Sequence, residues 1–365
     1  MRRHTCGSGL AASVGPLLAA GILLTGCASG GETEWEVAAN PRATADDIIT
    51  AGHAADIATA GDQMVVTWEV EPEDDEGPYQ GAWRLYDRET GEVEDGTFGT
   101  VREASAHIDV VPVRDGFLLT DYVKHAQHIL DVEGRLLPAQ LDEAELGTPL
   151  AGGVLLEKPD DAGWNVLLPN MTVVQLTDLP TRDVQGIQLT SDGTVWVLLP
   201  WTTDGTYRVA YAKDGRGPWT TETIPLPKGL GTGGEGISAA GKTLFVVAGR
   251  EKEDRTTVDV VLSRAAGAKG TWERIDASGI ADDLTSTPHI AVPAKRRLVA
   301  LAAEGAWVQE PDRAGFAALR LPPARGRSVL GVSTGGSWLW ASEHNGGNAL
   351  HYSHDFGKTW REFER

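Results

Sequence analysis

Cysteine is nearly missing from this chain: of 365 residues only Cys6 and Cys27 are thiols, and both fall within the first 27. Everything downstream is without disulfide, thiol nucleophile or cysteine-held metal. Long apolar runs are scarce too. After Leu10–Leu24 no run of 18 or more apolar residues recurs, so the sequence offers no later helical membrane span. Positive charge is in deficit, with 32 Lys and Arg against 52 Asp and Glu and a net charge of −20. A body so acidic repels phosphate backbones and anionic headgroups, which argues against nucleic-acid binding. Helical periodicity is rare, and only Ala43–Ala51 and Asp142–Leu146 read as single helical turns.

The first 26 residues read as an address. Arg2 and Arg3 precede the uncharged run Leu10–Leu24, which is too short for a comfortable span of ~20 residues, and a signal peptide is the direct reading. Leu24-Thr25-Gly26-Cys27 follows. This tetrapeptide resembles the bacterial lipobox, which implies cleavage behind Gly26 and diacylation of Cys27. Ala28–Glu34 is polar, with Gly and Ser, and reads as a short tether. The expected organisation is a signal at 1–26, a lipidated tether at 27–34 and a body at 35–365. That body would sit on the outer side of the cell membrane, touching it through the N-terminal lipid alone. Its charge balance is −22, from 30 basic and 52 acidic residues in 27–365.

Repeats decide the architecture. Seven segments share one plan, an apolar strand, a turn and a second strand rich in Val, Leu and Trp: Ala55–Val70, His107–Tyr122, Val154–Pro169, Gly186–Trp201, Gly236–Gly249, His289–Ala302 and Val329–Ala341. A second hairpin trails most of them, at Trp83–Asp95, His128–Leu137, Tyr207–Ile224, Asp259–Ile275, Gly305–Leu321 and Leu350–Phe363. Seven units over the 339 residues after position 26 leave about 48 for each, the span of a four-stranded propeller blade. The fold class is therefore all-β, a β-propeller of seven four-stranded blades, with six the alternative count because the third unit is short. Trp68, Trp196, Trp219, Trp272, Trp338, Trp340 and Trp360 share repeat phases and read as packing between blades. Trp35–Ala39 reads as a strand that completes the last blade and closes the ring.

One unit carries an intact motif. Ser353-His354-Asp355-Phe356-Gly357-Lys358-Thr359-Trp360 reads S-x-D-x-G-x-T-W, a pattern suited to a hairpin turn whose Ser and Asp accept backbone N–H groups. It resembles the Asp-box of the sialidase-type (BNR) β-propellers, with Ser353, Asp355, Gly357, Thr359 and Trp360 as its structural residues. Earlier copies are degenerate: one keeps Asp214, another Thr271-Trp272. The resemblance implies fold and not catalysis, because the Asp-box lies on the face opposite that family's active site. The family's Phe-Arg-Ile-Pro signature is absent, and no arginine triad or Tyr–Glu pair can be placed. No catalytic residue is assigned.

Other apparent motifs are set aside. Gly331–Gly335 fits G-x-S-x-G, and Gly231–Gly236 fits G-x-G-x-x-G, but strands follow where each motif needs a helix. Glu69, Glu71, Glu73, Asp74, Asp75 and Glu76 lack the alternating spacing of a calcium loop, and the His125/His128 and His344/His351/His354 spacings lack cysteine partners. No metal and no cofactor is expected. Binding is assigned to the loops between blades and between second and third strands, which converge around a propeller channel. Tyr122, Trp201, Arg250, Arg325, His344 and Asn345 are the candidate ligand residues there, with Tyr79, His125, Asp204 and Asn348 beside them. Aromatics, amides and Arg suit a glycan or a peptide. The expected function is a non-catalytic binding or scaffolding protein for a protein or cell-envelope ligand; the alternative is a sialidase-like glycoside hydrolase with a diverged active site.

Overall fold

The computed structural model describes residues 33–365 apart from 72–78, 88–92, 102–107, 114–115, 122–125, 140, 146, 158–162, 204, 233–235, 253–254, 268–269, 286, 293–296, 303, 323–326, 333–338, 345–349 and 364–365. The expected signal, Cys27 and most of the tether lie outside the described residues. Two short helices come first, α1 (Glu34–Ala39) and α2 (Ala45–Ala51).

Seven four-stranded sheets follow. Blade 1 is β1 (His53–Ala60), β2 (Gln63–Val70), β3 (Tyr79–Asp87) and β4 (Val93–Val101). Blade 2 is β5 (Ile108–Val113), β6 (Gly116–Asp121), β7 (Ala126–Asp131) and β8 (Leu136–Pro138). Blade 3 is β9 (Asp142–Glu143), β10 (Val154–Glu157), β11 (Trp164–Leu167) and β12 (Thr172–Leu176). Blade 4 is β13 (Gly186–Leu189), β14 (Thr194–Leu199), β15 (Arg208–Lys213) and β16 (Thr220–Thr223). Blade 5 is β17 (Ile237–Ala240), β18 (Thr243–Lys252), β19 (Arg255–Ala265) and β20 (Trp272–Ile275). Blade 6 is β21 (His289–Ala291), β22 (Leu298–Ala302), β23 (Gly305–Gln309) and β24 (Ala317–Ala318). Blade 7 is β25 (Arg327–Val332), β26 (Leu339–His344), β27 (Leu350–Ser353) and β28 (Arg361–Glu362). The chain is an all-β, seven-bladed propeller, and the inner pair of every blade falls on one of the seven repeats.

Six blades pair their strands in chain order; the third runs β10-β11-β12-β9, with β9 parallel to β12. Asp142–Glu143 is thus an edge strand laid down before the blade it completes, and not the helical turn expected at Asp142–Leu146. This explains why the third repeat looked short. Its outer strand precedes the repeat.

Burial falls from the inside out. β2 is buried from Met64 to Val70 and β14 from Thr194 to Leu198, whereas β24 and β28 are exposed. A strand covered on both faces by neighbouring blades needs a continuous apolar run, and Met64-Val65-Val66-Thr67-Trp68 is one. Inner strands are also joined by polar side chains. Val110 N–H donates to Asp56 Oδ2 at 2.7 Å, Gln188 Nε2 donates to Ile237 O at 3.1 Å, and Ile290 N–H donates to Ser238 Oγ at 3.2 Å.

Ring closure departs from expectation. Trp35–Ala39 is helical, and the last blade takes all its strands from the C-terminal part of the chain. The local reason is capping: Glu36 Oε2 accepts from Thr33 N–H at 2.8 Å, and Thr44 and Asp47 exchange the same kind of bonds at 2.8 and 3.2 Å. Closure is hydrophobic. Ile48 and Ile49 of α2 join Trp68 of blade 1 and Leu350, Tyr352 and Phe363 of blade 7 in one buried cluster. Trp68 and Phe363 lie 5.9 Å apart by ring centroid, and Tyr86 meets Phe363 edge-on at 5.7 Å.

Candidate functional site

Blade 5 holds the two longest strands, β18 with 10 residues and β19 with 11, beside an inner strand β17 of only 4. β17 covers β18 only as far as Val246, opposite Ile237. Beyond that point the hairpin of β18 and β19 runs on to Lys252 opposite Arg255, after a bulge between Ala248 and Gly249. Gly231, in the link from blade 4, bridges Gly249 through two backbone bonds of 2.9 and 3.0 Å. Neither glycine can be enlarged freely: a Cβ on Gly249 would meet the Thr257 carbonyl oxygen, and one on Gly231 would lie 2.7 Å from the Tyr207 hydroxyl.

A cleft of about 900 Å³ opens beside this hairpin, between blades 4 and 5. Its lining includes Trp201, Tyr207, Pro225, Leu226, Leu230 and Glu251. Trp201 is 64% exposed, a large apolar face held out to solvent at the rim. Concave, mostly apolar ground with a few polar groups is what ligand sites are made of.

Of the residues expected to bind, Trp201 lines this cleft. Arg250 does not occupy a loop: it lies in β18. Its guanidinium forms a two-pronged pair with Asp259, Nε to Oδ2 at 2.8 Å and Nη2 to Oδ1 at 2.9 Å, and this partner raises the Arg250 pKa above its ordinary value. Arg250 is thus engaged within its own hairpin. Tyr79 is the first residue of β3 and only 7% exposed, so it is core and not loop. Tyr122, His125, Asp204, Arg325, Asn345 and Asn348 lie outside the described residues, as does the His344 side chain. Glu251, Tyr207 and Leu230 were missed; the polar run Arg250–Arg255 reads as a loop in sequence, which hid the strand extension.

The acidic stretch is described only at Glu69 and Glu71, with Glu69 buried in β2. A strand, β17, follows the Gly231–Gly236 motif. Among the described residues no cluster of three or more His, Cys, Asp or Glu could hold a metal. A second cavity of about 360 Å³ lies between blades 3 and 4, with Asn165, Asp178, Asp214 and Arg216 among its lining.

The Ser353–Trp360 loop is a tightly bonded turn. Ser353 Oγ, in a residue only 1% exposed, accepts from Gly357 N–H at 2.8 Å. Asp355 Oδ1 accepts from Thr359 N–H at 2.9 Å and Oδ2 from the Thr359 hydroxyl at 2.7 Å. Gly357 has φ +76°, where an L side chain would be strained. Partial burial pushes the Asp355 pKa up, but the bonds from Thr359 and Ser353 outweigh it and bring the value down to about 2. Trp360 Nε1 donates to Arg320 O at 2.8 Å, tying blade 7 to the exit of blade 6. Trp219 repeats this in blade 4, donating to Asp178 O at 2.6 Å.

No family model matches the sequence, and no curated protein matches it. Solved structures do. A puromycin hydrolase S511A mutant complexed with PGG superposes with a TM-score of 0.54 at 14% identity, covering 89% of this chain and 56% of that one. A puromycin-hydrolyzing peptidase from Mycobacterium tuberculosis gives 0.50 at 13% identity, covering 88% and 55%. The GH74 xyloglucanase from Xanthomonas campestris gives 0.41 at 15%, covering 87% and 61%. The chain spans little more than half the length of the first two of these proteins, and at such identities the likeness is one of fold: a β-propeller.

Proposed function

We propose that this chain is a lipid-anchored, extracytoplasmic β-propeller that binds a protein or cell-envelope ligand and acts as a scaffold without catalysing a reaction. The observation that carries the binding reading is the cleft between blades 4 and 5, where the exposed Trp201 overhangs an apolar floor of Tyr207, Pro225, Leu226 and Leu230. An exposed Trp beside an apolar cleft is the type of anchor that a partner buries at the centre of an interface. The anchor reading rests on Leu24-Thr25-Gly26-Cys27. The test is site-specific photo-cross-linking from position 201 in native membranes. An adduct of defined mass, absent when the photoreactive group is moved to the exposed outer strand β28, is the expected result.

A second reading is a sialidase-like glycoside hydrolase with a diverged active site. It rests on the resemblance of the Ser353–Trp360 turn to the Asp-box, a likeness that bears on the fold and supplies no catalytic group. Hydrolysis of a fluorogenic sialoside by the full chain, lost in Arg250→Ala or Arg325→Ala, would establish it and displace the scaffold reading. The hydrolysis named for the structural neighbours is not carried over, because the likeness lies in the propeller alone.

A further inference from the structure

At the level of Glu251 and Thr256 the β18–β19 hairpin offers main-chain bonding on both edges, and among the described residues only the Thr256 edge is filled. On the β19 edge, Thr256 exchanges two backbone bonds with Leu284, of 2.7 and 2.9 Å. Thr256 stands opposite Glu251, and the N–H and C=O of Thr256 turn away from β18. In an antiparallel ladder both members of such a pair face outward, so the Glu251 N–H and C=O turn away from β19. Gly249, two residues earlier on the same edge, does the same and spends its groups on Gly231. The partner segment should next bring Gly229 opposite Glu251, but Gly229 has φ +86° and the chain turns off there, with Leu230 N–H donating to Pro227 O. No described residue takes the outward groups of Glu251, and Glu251 lines the cleft beside Trp201.

We propose that this edge is a docking site for an extended, apolar, non-acidic peptide segment of a partner protein, which adds as a short strand to β18 at Glu251 and places side chains on Tyr207, Pro225, Leu226 and Leu230. Three observations select that occupant. An uncovered strand edge is satisfied best by another backbone. The Gly231–Gly249 bridge already shows this edge receiving a chain, so a peptide continues an existing ladder. The charge balance of −22 over residues 27–365 disfavours an acidic ligand. The inference rests on the binding reading above and narrows it to a peptide at one edge.

The test uses the full chain in mild detergent, panned against a phage-displayed library of random dodecapeptides, with each selected peptide then synthesised plain and with backbone N-methylation scanned along it. Glu251→Pro deletes the outward N–H while leaving the ladder to β19 intact, and Trp201→Ala removes an exposed apolar wall without touching the core. The expected result is non-acidic peptides that lose about tenfold in affinity to each variant and to N-methylation at one alternate set of positions. An unchanged melting temperature in Trp201→Ala keeps the result readable if Glu251→Pro folds poorly. No enrichment, or peptides that bind wild type and both variants equally, overturns the edge site. If the position-201 cross-link persists in that case, the binding reading survives and only the peptide edge falls; loss of both removes both.

Discussion

Arg264 of blade 5, 2% exposed, grips Glu222 of blade 4 through contacts of 2.8, 2.9 and 3.0 Å, while its guanidinium lies 5.2 Å from the Trp196 ring and 5.0 Å from the Tyr211 ring. The charge is buried between blades, so removing its partner strands it there. Glu222→Ala is expected to cost about 2 to 3 kcal/mol, below the range for fully buried pairs because Glu222 keeps some solvent. Arg264→Met with Glu222→Leu should recover most of that loss. Guanidinium unfolding midpoints of the single and double variants check it; a neutral Glu222→Ala would contradict it.

Asp355 gives the protein an acid-sensitive turn. Its pKa in the fold, about 2, lies below the ordinary 3.8, so its contribution is complete above about pH 4 and is lost as pH falls towards 2. Solvent screening at this surface turn holds it to about 1 kcal/mol. Asp355→Asn should lower stability at pH 7 by that amount and flatten the change between pH 4 and 2. Unfolding at pH 6, 4, 3 and 2 for both proteins is the measurement.

Gly249→Ala places a methyl against the Thr257 carbonyl oxygen, a backbone atom that cannot swing aside. The bulge must open and the Gly231 bridge with it. A loss of about 2 kcal/mol is expected, within the range for overpacking. Gly61→Ala is the matched control for crowding, since its Cβ would meet nothing within 4 Å and only its φ of +59° resists. The ranking of the two unfolding midpoints tests this directly.

Legibility followed the physics of burial. The inner hairpins were readable because strands sandwiched between blades must be apolar along their length, as Thr194-Val195-Trp196-Val197-Leu198 is. Of the two helices, α2 falls on the helical stretch Ala43–Ala51 that the sequence shows, whereas Trp35–Ala39, which reads as a closing strand, is helical because Thr33-x-x-Glu36 is a capping box. Trp201 was visible as a loop aromatic. The edge at Glu251 was not, because it depends on β17 being shorter than β18 and on the chain turning off at Gly229. Neither fact is local to Glu251.

Anchoring is testable at one atom. Cys27→Ser removes the sulfur that would carry the diacylglycerol, and the apolar run before it is then an ordinary signal. The variant should lose labelled palmitate and move from the detergent phase to the aqueous phase. Retention in the membrane without label would place the anchor elsewhere.

Phe363 decides whether the ring stays shut. Blades 1 and 7 share no strand, so their union depends on side chains: Phe363, 4% exposed, fills the space between Trp68 and Tyr86, with Ile48 and Ile49 of α2 in the same cluster. Phe363→Ala should cost about 3 to 5 kcal/mol, the range for emptying a large core site. The loss should also be local. Elsewhere each blade packs on a neighbour continuous with it in sequence, and opening the seam leaves those contacts in place. Amide hydrogen exchange should therefore quicken in β2, β3 and β27 while β14 and β18 keep their protection. Uniform acceleration across all blades would mean instead that the propeller unfolds as one unit and that the seam is no weaker than the other interfaces.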